Sequence, residues 1–239
     1  MPLTKPYPKM YRHGPSWTIQ PFLEDIKSPS GVNNLSSYEL LKHDLRTIFE
    51  FIEPNPANDI AYSHRNYELL LRACTEVESL CKQIFKANNI LNAENIKRFS
   101  DLNGPMKLSE FTVRSYGFIY PEFKPFESFS YPNRDLRSPN WYKAYNDVKH
   151  KRHDNFAKAS LKNVIEAAGG VYVLLVSMYG LGFDHILRHS YAGGIKDVPT
   201  FFRTPKLPEW PEEEKYEFKW DDLKNLGQPY HNHLIPIIP

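Results

Sequence analysis

Apolar residues recur at helical spacing in four long stretches of the chain. Tyr38, Leu41, Leu45, Ile48, Phe49 and Ile52 follow steps of three and four residues behind Ser36-Ser37-Tyr38-Glu39, which has the form of a capping box. This predicts a helix that starts at Ser36 and stops at Pro54-Asn55-Pro56. A stronger stripe of Tyr67, Leu70, Leu71, Cys74, Val77, Cys81, Ile84 and Phe85 predicts a second helix over Asp59–Ala87. A short helix is expected over Asn95–Leu102, with a break at Asn103-Gly104-Pro105. Ser138-Pro139 places proline at a helix start, and the third long helix runs from there to about Arg152. The fourth spans Phe156–Tyr179, and its second half is apolar on every side, so it is expected to be central to the fold or to form an interface.

Between these helices, Phe111–Tyr120 and Phe123–Tyr131 are rich in aromatic and β-branched residues around Pro121-Glu122, which predicts a small antiparallel hairpin. Further edge strands are expected near Thr200–Arg203 and Lys215–Trp220. Prolines crowd both ends, where long helices cannot form because each proline lacks a donor and clashes with the preceding turn. The expected class is mainly α: an up-and-down helical bundle over residues 35–190 with a β insertion near 111–131. An extended arm (1–34) precedes it, and a C-terminal extension (191–239) packs on it.

The composition narrows the class but not the activity. Over 239 residues, 41% are apolar and 24% charged, which is ample for a packed core and excludes global disorder. The net charge of +2 excludes a polycation, so any nucleic-acid contact has to come from a local patch. Cys74 and Cys81 lie about 10 Å apart along one helix, too far to bond each other, and a reduced, cytoplasmic protein is expected. The uncharged run 167–183 is shorter than the roughly 20 residues of a membrane span and is expected to be a buried helix.

Chemistry concentrates between Trp141 and His153. On a helical wheel, Trp141, Tyr145, Val148 and Arg152 share one side. Asn146 and His150 share the opposite side, with Lys143 near them and Lys149 between the faces. Residues 143–162 hold six Lys/Arg against two Asp. An imidazole, an amide and lysines on one face suit a phosphodiester, because His exchanges a proton near neutral pH and the other groups bind phosphate oxygens. The other reading of the same residues is a solvated face with pairs such as Lys143–Asp147 and Asp147–Lys151. Glu78 sits on the apolar side of its helix and needs a partner there. Arg152 on the inward wheel face is that partner, as a structural ion pair or as a carboxylate orienting His150 or His153. His185 and His189 have metal-ligating spacing but no third ligand, and His231 and His233 are weaker, so no metal site is assigned. Gly169-Gly170 lies in no phosphate-loop pattern and is expected to admit a close neighbour.

The run Tyr145-Asn146-Asp147-Val148-Lys149-His150-Lys151-Arg152, behind Ser138-Pro139-Asn140-Trp141 and ahead of an apolar helix, resembles the HEPN (higher eukaryote and prokaryote nucleotide-binding) superfamily. Tyr67–Cys81 resembles the partner helix of such bundles. The similarity covers roughly Ser36–Tyr179. It implies an up-and-down bundle, usually a homodimer, contacting RNA or a nucleotide without a metal or other cofactor. Active members are metal-independent ribonucleases, many from bacterial toxin and defence systems, and others are inactive binding or scaffold modules. Both alternatives stay open. The family's Arg-Asn-x-x-x-His motif places its Asn on Asn146 and its His on His150 as catalytic residues. Lys143, Lys149, Tyr145 and His153 would then bind substrate. The motif's Arg falls on Tyr145, which cannot supply a cationic fork.

Overall fold

The computed structural model describes residues 9–12, 25, 28–90, 95–116, 118–181, 183 and 201–214. Four long helices carry the fold: α1 (Pro29–Phe49), α2 (His64–Ala87), α5 (Asn140–His150) and α7 (Leu161–Tyr179). The short α3 (Ile96–Phe99), α4 (Asn103–Met106) and α6 (Arg152–Asn155) lie between them. The chain is mainly helical, as its periodicity predicts.

Contacts at the helix ends fix their directions. The segments leading into α2 and α7 are joined by an antiparallel bridge between Tyr62 and Ser160 and by the Leu161 amide donating to the Ala61 carbonyl (2.7 Å). At the other end, Asn34 of α1 donates to Gln83 of α2 (3.0 Å) and to the Tyr179 hydroxyl of α7 (3.1 Å). Thus α2 and α7 point the same way and α1 opposes them. α5 also opposes α2, since Tyr142 near its start meets Glu78 and Arg152 beyond its end meets His64.

α7 is the axis of the core. From Ala167 to Tyr179 every residue is buried, within a single chain. It is also the one helix among the described residues long and apolar enough to cross a membrane, and most of that stretch lies inside the bundle. Gly169 presents its bare backbone to the Phe123 ring, where a Cβ would come within 2.6 Å of the ring edge. The helix stops at Gly180, whose φ of +82° suits glycine and whose face is covered by the Tyr11 ring.

Several expectations need correction. α1 starts at Pro29, not Ser36: Ser28 caps it by accepting from the Gly31 amide (3.1 Å), with proline in the first turn. Ser36 and Glu39 therefore lie inside the helix, and the arm boundary at residue 34 falls within α1. Gly31-Val32-Asn33-Asn34 are poor helix formers, and they hide the true start. α2 begins at His64 behind Ser63, which caps the Asn66 amide (3.1 Å), rather than at Asp59. The expected break at residues 103–105 is instead a helical turn, α4.

The hairpin over 111–131 does not form. β1 (Arg114–Ser115) pairs antiparallel with β2 (Phe202–Arg203), and Val113 and Phe123 make only a single bridge. Pro125 removes a ladder donor from the second half, and Pro132 follows directly behind it. Phe126 and Phe129 instead drop into the core around a 3₁₀ turn, with ring centroids 4.9 Å apart. The expected strand near residues 200–203 exists as β2, whereas Lys215–Trp220 lies outside the described residues. The third predicted helix ends at His150 rather than Arg152, and the fourth starts at Leu161 after a 3₁₀ turn over Phe156–Lys158.

The N-terminal residues that are described run through the structure as a strap. Tyr11 donates its amide to the Ser177 carbonyl (2.7 Å), and the buried Arg12 guanidinium reaches the Pro105 carbonyl (2.8 Å) and Glu214. Trp210 donates to the same Pro105 carbonyl (3.1 Å), so both chain extensions close over α4.

Candidate functional site

The sequence-derived site maps onto α5 and the turn behind it. Trp141, Tyr142, Ala144, Tyr145 and Val148 are buried against α2 and α7. Lys143 and His150 are exposed and Asn146 is half-buried, so the outer face carries Lys143, Asn146 and His150 as the wheel predicts. His153 is exposed one turn further on. Asp147 pairs with Lys158 (2.6 Å), not with Lys143 or Lys151.

The motif position occupied by Tyr145 faces inward. Its ring is 3% exposed and lies 5.3 Å from the Tyr142 ring. Lys149 folds back along α5, donates to the Tyr145 hydroxyl (2.9 Å) and sits 4.9 Å above its ring. That bond raises the Lys149 pKa and keeps the amine cationic. Lys149 is thereby engaged with the core edge, and Tyr145 is removed from any substrate on the outer face.

Glu78 and Arg152 do not pair. The Tyr142 hydroxyl donates to Glu78 (2.8 Å), and Lys82 stands 3.9 Å from it. Burial raises the Tyr142 pKa well above its usual value, reinforced by the bond to Glu78, so the phenol stays protonated. Arg152 is exposed because α5 ends at His150 and the chain turns at Lys151 (φ −138°, ψ 57°) before α6 starts. A continued helix would have carried a guanidinium into the core, which costs several kcal/mol without an excellent partner. The chain turns away instead.

That turn assembles a cluster the sequence does not reveal. The Arg152 guanidinium lies 4.6 Å over the Tyr67 ring and 5.5 Å from the Phe156 ring, with Nη2 3.1 Å from His64 Nδ1. His64 packs on Phe156 at 4.8 Å, and Tyr62 meets it edge-on at 5.8 Å. Tyr62, His64 and Arg152 are solvent-exposed, and Tyr67 and Phe156 are half-buried. The result is an open platform of rings and a planar cation, beside Lys151, His150 and His153. Tyr67 reads as part of the α2 core stripe and Phe156 as a helix start. Nothing in their spacing links residues 62–67 to residues 152–156.

Among the described residues no group of His, Cys, Asp and Glu is placed to hold a metal. His185, His189, His231 and His233 lie outside them. Cys74 and Cys81 are free and fully buried. Burial raises both thiol pKa values, and nearby Glu78 raises them further, so neither forms the reactive thiolate. Titration with Ellman's reagent should find no reactive thiol in the folded chain and both after denaturation. A fast-reacting thiol in the native protein would contradict the burial.

Compared with known proteins, the chain matches no protein family, no curated protein and no solved structure.

Proposed function

We propose that this chain is a HEPN-like RNA-contacting protein that holds single-stranded RNA on the α5–α6 face without cutting it. One observation carries the reading: an exposed guanidinium stacked on aromatic rings and edged by Tyr62 and His64, next to the basic run from Lys149 to His153. Unpaired bases stack on such planes, and cations beside them bind the phosphates. The alternating directions of the four long helices, with Asn146 and His150 near the end of α5, support the HEPN-like part of the reading. The inward Tyr145, with Lys149 tied to it, favours a binding module over a nuclease, since the motif cation is missing from the outer face.

The test is fluorescence anisotropy with a labelled, unstructured RNA at several salt concentrations. Arg152→Ala should weaken binding about tenfold or more, the scale of one lost stacking contact of about 1–3 kcal/mol. A duplex of the same sequence should bind less well, because its bases are already stacked inside. Absence of binding at low salt, or wild-type affinity in Arg152→Ala, would overturn the reading.

A further inference from the structure

A cleft of about 610 Å³ opens at the other end of α5, within the usual range of small-molecule sites. One wall is the first turn of α5 with Lys143, another is the segment carrying Lys124, Glu127 and Tyr131, and a third is Lys162 and Glu166 on α7. Lys124, Lys143 and Glu127 make no ion pair among the described residues. Glu122, at the rim, is already held by Arg114 (2.5 Å).

Glu166 is the unusual member. Its side chain is only 18% exposed, and its one oppositely charged partner among the described residues is Lys162 at 3.9 Å, beyond hydrogen-bond length. Burial raises its pKa; Lys162 opposes that, while Asp59 and Glu127 add to it. The cleft wall thus presents an under-used carboxylate beside an ammonium. A carboxylate accepts from two donors side by side, and the neighbouring ammonium donates to an acceptor next to them. Guanine carries that order along one edge: O6 accepts, and N1–H and the N2 amino group donate. Adenine and cytosine offer a single amino donor beside a ring acceptor, and uracil one donor between two acceptors. Each of these leaves one carboxylate oxygen without a donor.

We propose that this cleft binds a guanine base, Lys162 meeting O6 and Glu166 spanning N1–H and N2–H. The exposed ring of Tyr131 lies against the base, and Lys143 and Lys124 neutralise the attached phosphate. The proposal rests on the RNA reading above and extends it. Lys143 and His150 share the outer face of α5 roughly 10 Å apart, so one extended strand can reach from the Arg152 platform to the cleft.

Calorimetric titration of the full chain with GMP, IMP and AMP tests the cleft directly. GMP should bind at least about tenfold more tightly than AMP, the scale of one lost hydrogen bond to a charged group. IMP, which lacks the N2 amine, should fall between them. Glu166→Gln should remove the preference with an unchanged circular dichroism spectrum; should that variant unfold, the exposed Lys162→Ala should weaken GMP binding instead. Failure of GMP to saturate, or equal affinity for AMP, would overturn the proposal. Anisotropy with oligouridine carrying one guanine or one adenine separates the two readings. Arg152-dependent binding without a guanine preference removes the cleft and keeps the RNA face. A GMP preference without oligonucleotide binding keeps the cleft and removes the RNA face.

Discussion

Replacing Tyr145 by arginine, the change that restores the Arg-Asn-x-x-x-His pattern, should lower stability by about 3–5 kcal/mol rather than equip a site. The position is 3% exposed and packed against Tyr142. A guanidinium there would also meet the Lys149 ammonium, which now donates to the tyrosine hydroxyl. The nearby carboxylate, Glu78, already accepts from Tyr142. The new cation would be stranded in the core, displace Lys149, or unfold the end of α5. Urea melts measure the effect, with Tyr145→Phe as the control. That control loses only the bond from Lys149 and should cost about 1 kcal/mol. Wild-type stability of Tyr145→Arg would mean that the ring is not buried as described.

The same residue marks how far the sequence carries. The α2 and α7 stripes are legible because each helix buries one continuous apolar surface, and period 3.6 reports that surface directly. The outer face of α5 is legible for the same reason: Lys143, Asn146 and His150 lie where the wheel puts them. Arg152 is misplaced by the wheel because a wheel assumes that the helix continues. This one ends at His150, and the turn at Lys151 carries Arg152 off the inward face. The hairpin fails for a related reason, as β propensity over 111–131 reports aromatic packing that is met by loops and 3₁₀ turns instead of a ladder. The Arg152 platform and the cleft are not legible at all. Each joins segments distant in sequence, Tyr62–Tyr67 with Arg152–Phe156 and Lys124–Tyr131 with Lys162–Glu166, and only the packing of α2, α5 and α7 brings them together.

Incubated with mixed RNA in EDTA, the wild-type chain should leave the RNA intact while still binding it. Metal-independent cleavage needs a proton-transfer group held in place and a cation where charge develops on the phosphate. His150 can transfer a proton, but it is exposed at the end of α5, and no described side chain bonds its ring to orient it. An unpositioned general acid or base forfeits much of the roughly 10²–10⁴-fold it otherwise contributes. Where the motif that this run resembles has a cation, the chain has the buried phenol of Tyr145, and loss of one such stabilising donor costs about 10²–10³-fold. Arg152 does not take its place on the outer face of α5, since its guanidinium lies beyond the helix end, over Tyr67 and Phe156 and beside His64. The two losses multiply and put turnover below the background of an ordinary gel assay. His150→Ala should therefore behave as the wild type in that assay. Cleavage by the wild type that disappears in His150→Ala would instead establish a working nuclease, with its cation supplied by exposed Lys143 or Lys151, from outside the described residues, or by a second copy of the chain.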